Sequence, residues 1–148
     1  MKPLIVLLST FLLCLAATYI IGHPDVNVSG RAAMSLMLAF TAIGHFKFTN
    51  GMVMMLPPSM PVKKQIVLAT GGIEILAAIG LLVLSTIKIT GILLIAFFVL
   101  ILPANIYAAL KNINLEKADN SGNGINYLWF RIPEQVFFIA WVYFFAIR

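Results

Sequence analysis

A single carboxylate, Glu74, lies in an otherwise apolar run over residues 65–84. About 20 such residues cross a bilayer as a helix, and a charge in hydrocarbon costs ~2.5–3.5 kcal/mol or more. The four residues one helical turn away are all small: Thr70, Gly71, Ala77 and Ala78. Because another helix can approach such a face closely, we expect Glu74 to face other helices and to meet a partner or a proton there.

Four more polar residues interrupt or border other apolar runs: His45, Asn105, Arg131 and Gln135. We expect them to form one buried polar cluster with Glu74, in which Arg131 reaches the carboxylate or His45 shares a proton with it. Two interpretations remain open. The cluster fixes helix packing through hydrogen bonds, or it lines a site for a quinone or another amphipathic molecule, with protons supplied by Glu74 or His45.

Several kinds of redox and metal chemistry lack the residues that they need. Cys14 is the only cysteine, which excludes an intramolecular disulfide and a dithiol centre. The two histidines, His23 and His45, fall near opposite ends of the predicted helices, so a bis-histidine haem is disfavoured. We therefore assign no catalytic residue, no metal site and no covalently bound cofactor, and we keep quinone as the candidate ligand.

Composition indicates a single integral membrane domain over residues 1–148. Hydrophobic residues make up 61% and charged residues 10%, whereas a soluble domain has roughly 45–50% apolar and about 25% charged residues. The net charge of +5 is carried by basic residues between the apolar runs. These positions favour contact with lipid headgroups, so we expect the lipid bilayer to be a partner and expect no binding to nucleic acid.

The apolar runs predict an all-α bundle of five membrane helices, at residues 3–21, 31–46, 64–84, 89–110 and 127–147. Lys2 before the first run also suits a secretory signal peptide, but no A-x-A cleavage site follows, so we interpret the run as a membrane helix. The proline-rich segment 49–62 is too short to span and is expected at the interface.

Basic residues predict the orientation of these helices. One side collects Lys2, Lys47, Lys63, Lys64, Lys111, Lys117 and Arg131, and the other collects Arg31, Lys88 and Arg148. This distribution places the N-terminus inside the cell and the C-terminus outside. The polar cluster then lies in the cytoplasmic half. There we predict a cavity roofed by residues 52–61 and walled by Phe48, Met55, Tyr107 and Trp129.

The chain resembles the DoxX-like family of small membrane proteins. The resemblance is carried by Gly44-His45-Phe46, the run from Met55 to Pro61, Gly72-x-Glu74, Pro103-Ala104-Asn105-Ile106 and Arg131-x-Pro133-x-Gln135. It implies a four-helix core, to which the first helix is an addition, and a link to respiratory or redox assemblies.

These implications favour an accessory or assembly subunit, not catalytic on its own, that packs against a membrane-protein partner. The alternative is a quinone-interacting subunit of a membrane oxidoreductase. A small-molecule transporter is a weaker third hypothesis, because no inverted repeat is visible.

Overall fold

The computed structural model describes residues 2–148, and its regular secondary structure there is helical. The helices are α1 (Lys2–Ile20), α2 (Val26–Lys47), α3 (Thr49–Met54), α4 (Lys63–Gly80), α5 (Ile87–Leu110) and α6 (Ile125–Val142), which continues into a π-helical turn (Tyr143–Ile147). The predicted all-α class is confirmed. Four helices, α1, α2, α5 and α6 with its π-helical turn, are long and apolar enough to cross a membrane.

The start of α2 differs from the prediction. Asp25 caps the helix by accepting a hydrogen bond from Val28 N at 2.9 Å, so α2 begins at Val26 rather than at Arg31. Gly30 falls between the first two predicted helices, yet in the structure it lies inside α2. It is small there because the Phe145 ring occupies the space that a Cβ would need.

The end of α4 also differs, because the helix stops at Gly80 and not at Leu84. Thr86 Oγ1 donates a hydrogen bond to the Gly80 carbonyl at 2.9 Å. In a longer helix that carbonyl would accept from the backbone N–H of Leu84, four residues on. The threonine hydroxyl replaces this donor and lets the chain turn directly into α5.

Contacts between loops and helix ends define two ends of the bundle. At one end, which we call the lysine end, Lys2 Nζ is hydrogen-bonded to Glu116 in the α5–α6 loop and holds the pKa of that carboxyl below its usual range. In the same region Gly51 of α3 packs against the Leu115 backbone. At the far end, Trp141 Nε1 donates to the Gly30 carbonyl at 3.0 Å.

The path of the chain through these two ends requires successive long helices to alternate in direction. α2 starts beside the end of α6, and α5 starts beside the π-helical turn, where Gly91 packs against Ala146. The chain must therefore return from the lysine end to the far end between α2 and α5. Apart from the six-residue α3, α4 is the helix in that interval, so α4 runs the length of the bundle.

The apolar core is formed mainly by α2, α5 and α6. Its most deeply buried large side chains are Leu7, Met34, Met37, Leu38, Leu81, Leu94 and Val142. Leu7 is the one buried residue of α1, while most of the other α1 side chains remain exposed. This helix therefore lies at the periphery, packed along α2.

Candidate functional site

Glu74 meets His45 between α4 and α2. The Glu74 residue is 5% exposed, and its Oε2 lies 3.5 Å from His45 Nε2. On the other side of the ring, His45 Nδ1 lies 3.0 Å from the Val67 carbonyl and 3.0 Å from Thr70 Oγ1. Gly71 permits this approach, because a Cβ at that position would lie 2.8 Å from the Cβ of His45.

Arg131 forms its ion pair with Glu134, three residues further along α6. Arg131 NH1 donates to Glu134 Oε2 at 2.9 Å, and the side chains are 25% and 1% exposed respectively. The sequence predicted that Arg131 reaches Glu74 either directly or through Asn105, Gln135 or one water, and the direct ion pair does not form. A carboxylate at i+3 shares the helix face with Arg131 and reaches the guanidinium without any movement of another helix.

Asn105 and Gln135 join α5 to α6. Asn105 Nδ2 donates to Gln135 Oε1 at 3.4 Å, and Gln135 Nε2 donates to the Phe98 carbonyl. Pro103 lies inside α5, which remains one continuous helix. Because Pro103 has no N–H, it cannot donate to the carbonyl of Val99, four residues earlier. The carbonyl that accepts from Gln135 belongs to the preceding residue, Phe98.

A small cavity lies among these residues, with a volume of about 50 Å³. Its lining includes four of the five predicted cluster residues, together with side chains from α1 and α2: Pro3, Met37, Leu38, Thr41, Glu74, Phe98, Ile101, Asn105, Arg131, Glu134, Gln135 and Phe138. His45 does not line the cavity, but it contacts Glu74 directly. This volume exceeds the ~10–15 Å³ that one water needs, whereas small-molecule sites measure ~300–1,000 Å³.

The wall of this cavity differs from the prediction. None of residues 52–61 lines it, and neither do Phe48, Tyr107 and Trp129. Pro3, in the first turn of α1, contributes to the wall instead. Trp129 is 82% exposed and points away from the core. The predicted roof was wrong because α3 packs against the α5–α6 loop, which leaves this part of the wall to α1.

Glu134 is the buried charged residue of this site that the sequence reasoning missed. The last helix was predicted to begin between Tyr127 and Pro133, which allowed Glu134 to lie in its first turn. In the structure α6 begins at Ile125, so Glu134 lies well inside the helix and only 4% exposed. The i, i+3 spacing of Arg131 and Glu134 within an apolar stretch was the signal that would have revealed the pair.

A second, larger concavity lies at the far end, beside the C-terminal half of α6. It is a groove of about 570 Å³ lined by Asn27, Phe137, Ala140, Trp141, Phe144, Phe145 and Arg148. Arg148 lies over the Phe144 ring, 5.8 Å from its centre. The groove thus has an aromatic wall with polar groups from Asn27 and Arg148.

Comparison with known proteins identifies one family. A family model described as a domain of unknown function (DUF8561) matches residues 34–146. The matched range contains all five predicted cluster residues and Glu134, whereas α1 and the first two turns of α2 precede it. No curated protein and no solved structure matches the chain.

Proposed function

We propose that this chain, which belongs to the DUF8561 family, is an accessory subunit of a membrane complex. The proposed core is DoxX-like and consists of α2, α4, α5 and α6, with α1 added at its periphery. Two observations support this division. α1 lies outside the family match, and it buries a single residue.

All five long helices would cross the bilayer. α4 carries three charged residues, Lys63, Lys64 and Glu74, in 18 positions. The two lysines are in its first turn, where they reach headgroups, and Glu74 is buried against α2 rather than facing lipid. The alternation of helix directions supports this proposal. The chain must return from the lysine end, where α2 ends, to the far end, where α5 begins, and α4 is the helix that makes this connection.

The first prediction concerns orientation. The lysine end carries Lys2, Lys47, Lys63, Lys64, Lys111 and Lys117, and we expect it to face the cytoplasm. In a Cys14→Ala background, Asn123→Cys should react with a membrane-impermeant thiol reagent from inside, and His23→Cys from outside. Both positions are exposed. Labelling of both positions from the same side would contradict the alternating helix directions. Labelling of Asn123→Cys from outside and His23→Cys from inside would show that the predicted orientation is reversed.

The groove at the far end carries the proposal of a partner. One wall, formed by the end of α6 and the π-helical turn, runs from Phe137 to Arg148, which at ~1.5 Å per residue is about 16 Å, or three helical turns. Aromatic residues are enriched at protein interfaces, and small residues such as Ala140 let helices approach closely. We therefore assign the groove to an apolar helix of a partner subunit with a polar or acidic group near Arg148.

The second prediction tests this partner by photocrosslinking in the native membrane. A benzophenone amino acid in place of Phe144 should give one protein adduct of reproducible mass. The same amino acid in place of Leu100, which is 76% exposed on α5, should give none. Ala140→Trp, which fills the groove, should abolish the Phe144 adduct. Equal adducts at both sites, or an adduct that persists with Trp at 140, would contradict a specific partner helix.

A quinone-interacting subunit is less well supported. Arg131 and Asn105, which would donate to quinone oxygens, already pair with Glu134 and Gln135. The cavity beside them would have to expand several-fold from about 50 Å³ to reach the ~300 Å³ at the lower limit of ligand sites. The accessory role requires no such rearrangement.

A further inference from the structure

The hydrogen bonds of His45 determine which of its ring nitrogens carries a hydrogen. Nδ1 lies 3.0 Å from the Val67 carbonyl oxygen, which can only accept. Thr70 Oγ1 donates to that same carbonyl at 2.8 Å, so the hydroxyl presents a lone pair to Nδ1. Both neighbours are acceptors, and Nδ1 must therefore be the donor in every charge state of the ring.

The other ring nitrogen, Nε2, faces Glu74, and a single hydrogen can lie between these two atoms. In the neutral ring Nε2 has a lone pair, and Glu74 Oε2 has lone pairs as well. These two atoms lie 3.5 Å apart in a buried site, and Glu74 Oε2 accepts no hydrogen bond from the residues that the structure describes. Two acceptors repel each other at such a contact, whereas one proton on either atom makes it attractive.

The burial of the pair also favours this proton. Among the described residues, the polar groups that line the Glu74 side of the site are Thr41 from α2, Asn105 from α5, and Arg131, Glu134 and Gln135 from α6, while α1 contributes Pro3. Arg131 and Glu134 form an ion pair with each other. Taken by itself, the His45–Glu74 pair has a net charge of −1 without a proton and of zero with one. Burial strongly favours the neutral combination.

We propose that His45 and Glu74 form a proton-binding site that holds one exchangeable proton between Nε2 and Oε2. The proton reaches the site from the lysine end. His45 is in the last turn of α2 with its side chain 17% exposed, whereas the Glu74 side chain is 6% exposed. Thus the imidazole is the point of entry and the carboxylate the deeper acceptor. This site is independent of the proposed partner.

The test is histidine NMR on the full chain in phosphatidylcholine nanodiscs, labelled with ¹⁵N-histidine and ¹³C-glutamate. The chain has only two histidines, and the exposed His23 is an internal reference for an ordinary imidazole. At neutral pH, we expect His45 Nδ1 to carry a hydrogen and Nε2 to be bonded to the shared proton. On raising the pH, loss of the shared proton should change the His45 Nε2 signal and the Glu74 carboxyl signal at the same pH, because that proton belongs to the pair.

Variants separate the pair from a merely structural contact. Glu74→Gln should weaken proton binding by His45 about tenfold or more, since a carboxylate at this distance stabilises the imidazolium by that order. Glu116→Gln removes a carboxylate that is hydrogen-bonded to Lys2, and it should leave proton binding by His45 unchanged within about twofold. A wild-type His45 with its hydrogen on Nε2 and a bare Nδ1, or separate titration of the two groups, would overturn the proposal even if no variant folds.

Discussion

Arg131→Gln is expected to lower the free energy of unfolding by ~3–5 kcal/mol, the usual loss when one member of a buried ion pair is removed. The substitution leaves the Glu134 carboxylate, whose side chain is 1% exposed, without its guanidinium. Arg131 also lines the cavity beside Glu74, so its loss removes a cation from the half-bundle that holds both carboxylates. Unfolding in a graded mixture of mild and denaturing detergents, followed by circular dichroism, measures the effect.

A double-mutant cycle shows whether the loss comes from the pair. Arg131→Gln with Glu134→Gln removes both charges, so the double variant should recover much of the stability lost in either single variant. Lys111→Gln is the matched control, because Lys111 is an exposed cation at the lysine end and should change stability by no more than ~0.5 kcal/mol. Strictly additive losses would show that Arg131 and Glu134 do not interact.

Trp141→Ala is expected to have the second large effect, a loss of about 3 kcal/mol. Trp141 is 9% exposed, and its ring centre lies 5.0 Å from that of Phe11 and 4.8 Å from that of Phe145. Its indole N–H also donates to the Gly30 carbonyl. Truncation of buried tryptophan costs ~3–5 kcal/mol in soluble cores. We expect the lower limit here, because lipid solvates apolar groups in the unfolded state and packing supplies most of the gain.

The other tryptophan provides the control for this prediction. Trp129 is 82% exposed, so Trp129→Ala should shift the same unfolding curve by no more than ~0.5 kcal/mol. The two single-tryptophan proteins should also differ in fluorescence, with Trp141 shielded from a water-soluble quencher and Trp129 open to it. Equal losses of stability in the two variants would contradict the packing of α1 and α2 against Trp141.

The amino-acid sequence by itself determined the class of protein and the approximate course of its helices. Long apolar runs with few charges allow little other than helices that pair their own backbone groups. The burial of Glu74 also followed from local information, because the small residues one turn away mark a face that another helix can cover. Helix ends were less predictable, as Gly30 and Gly80 show. Gly30 packs against a distant residue, Phe145, and Gly80 contacts Thr86 and Thr90 on the far side of the turn into α5.

Only the tertiary structure decided which polar groups meet. The sequence left Glu74 with two candidate partners, Arg131 and His45, and helical spacing alone does not distinguish them. Arg131 pairs with Glu134 within α6, and the close approach of α2 at Gly71 brings His45 to Glu74. The size of the cavity was equally inaccessible, since it depends on Pro3 from a helix outside the family match. Pairing and cavity volume depend on the rotation and separation of helices, which arise from the packing of all of them together.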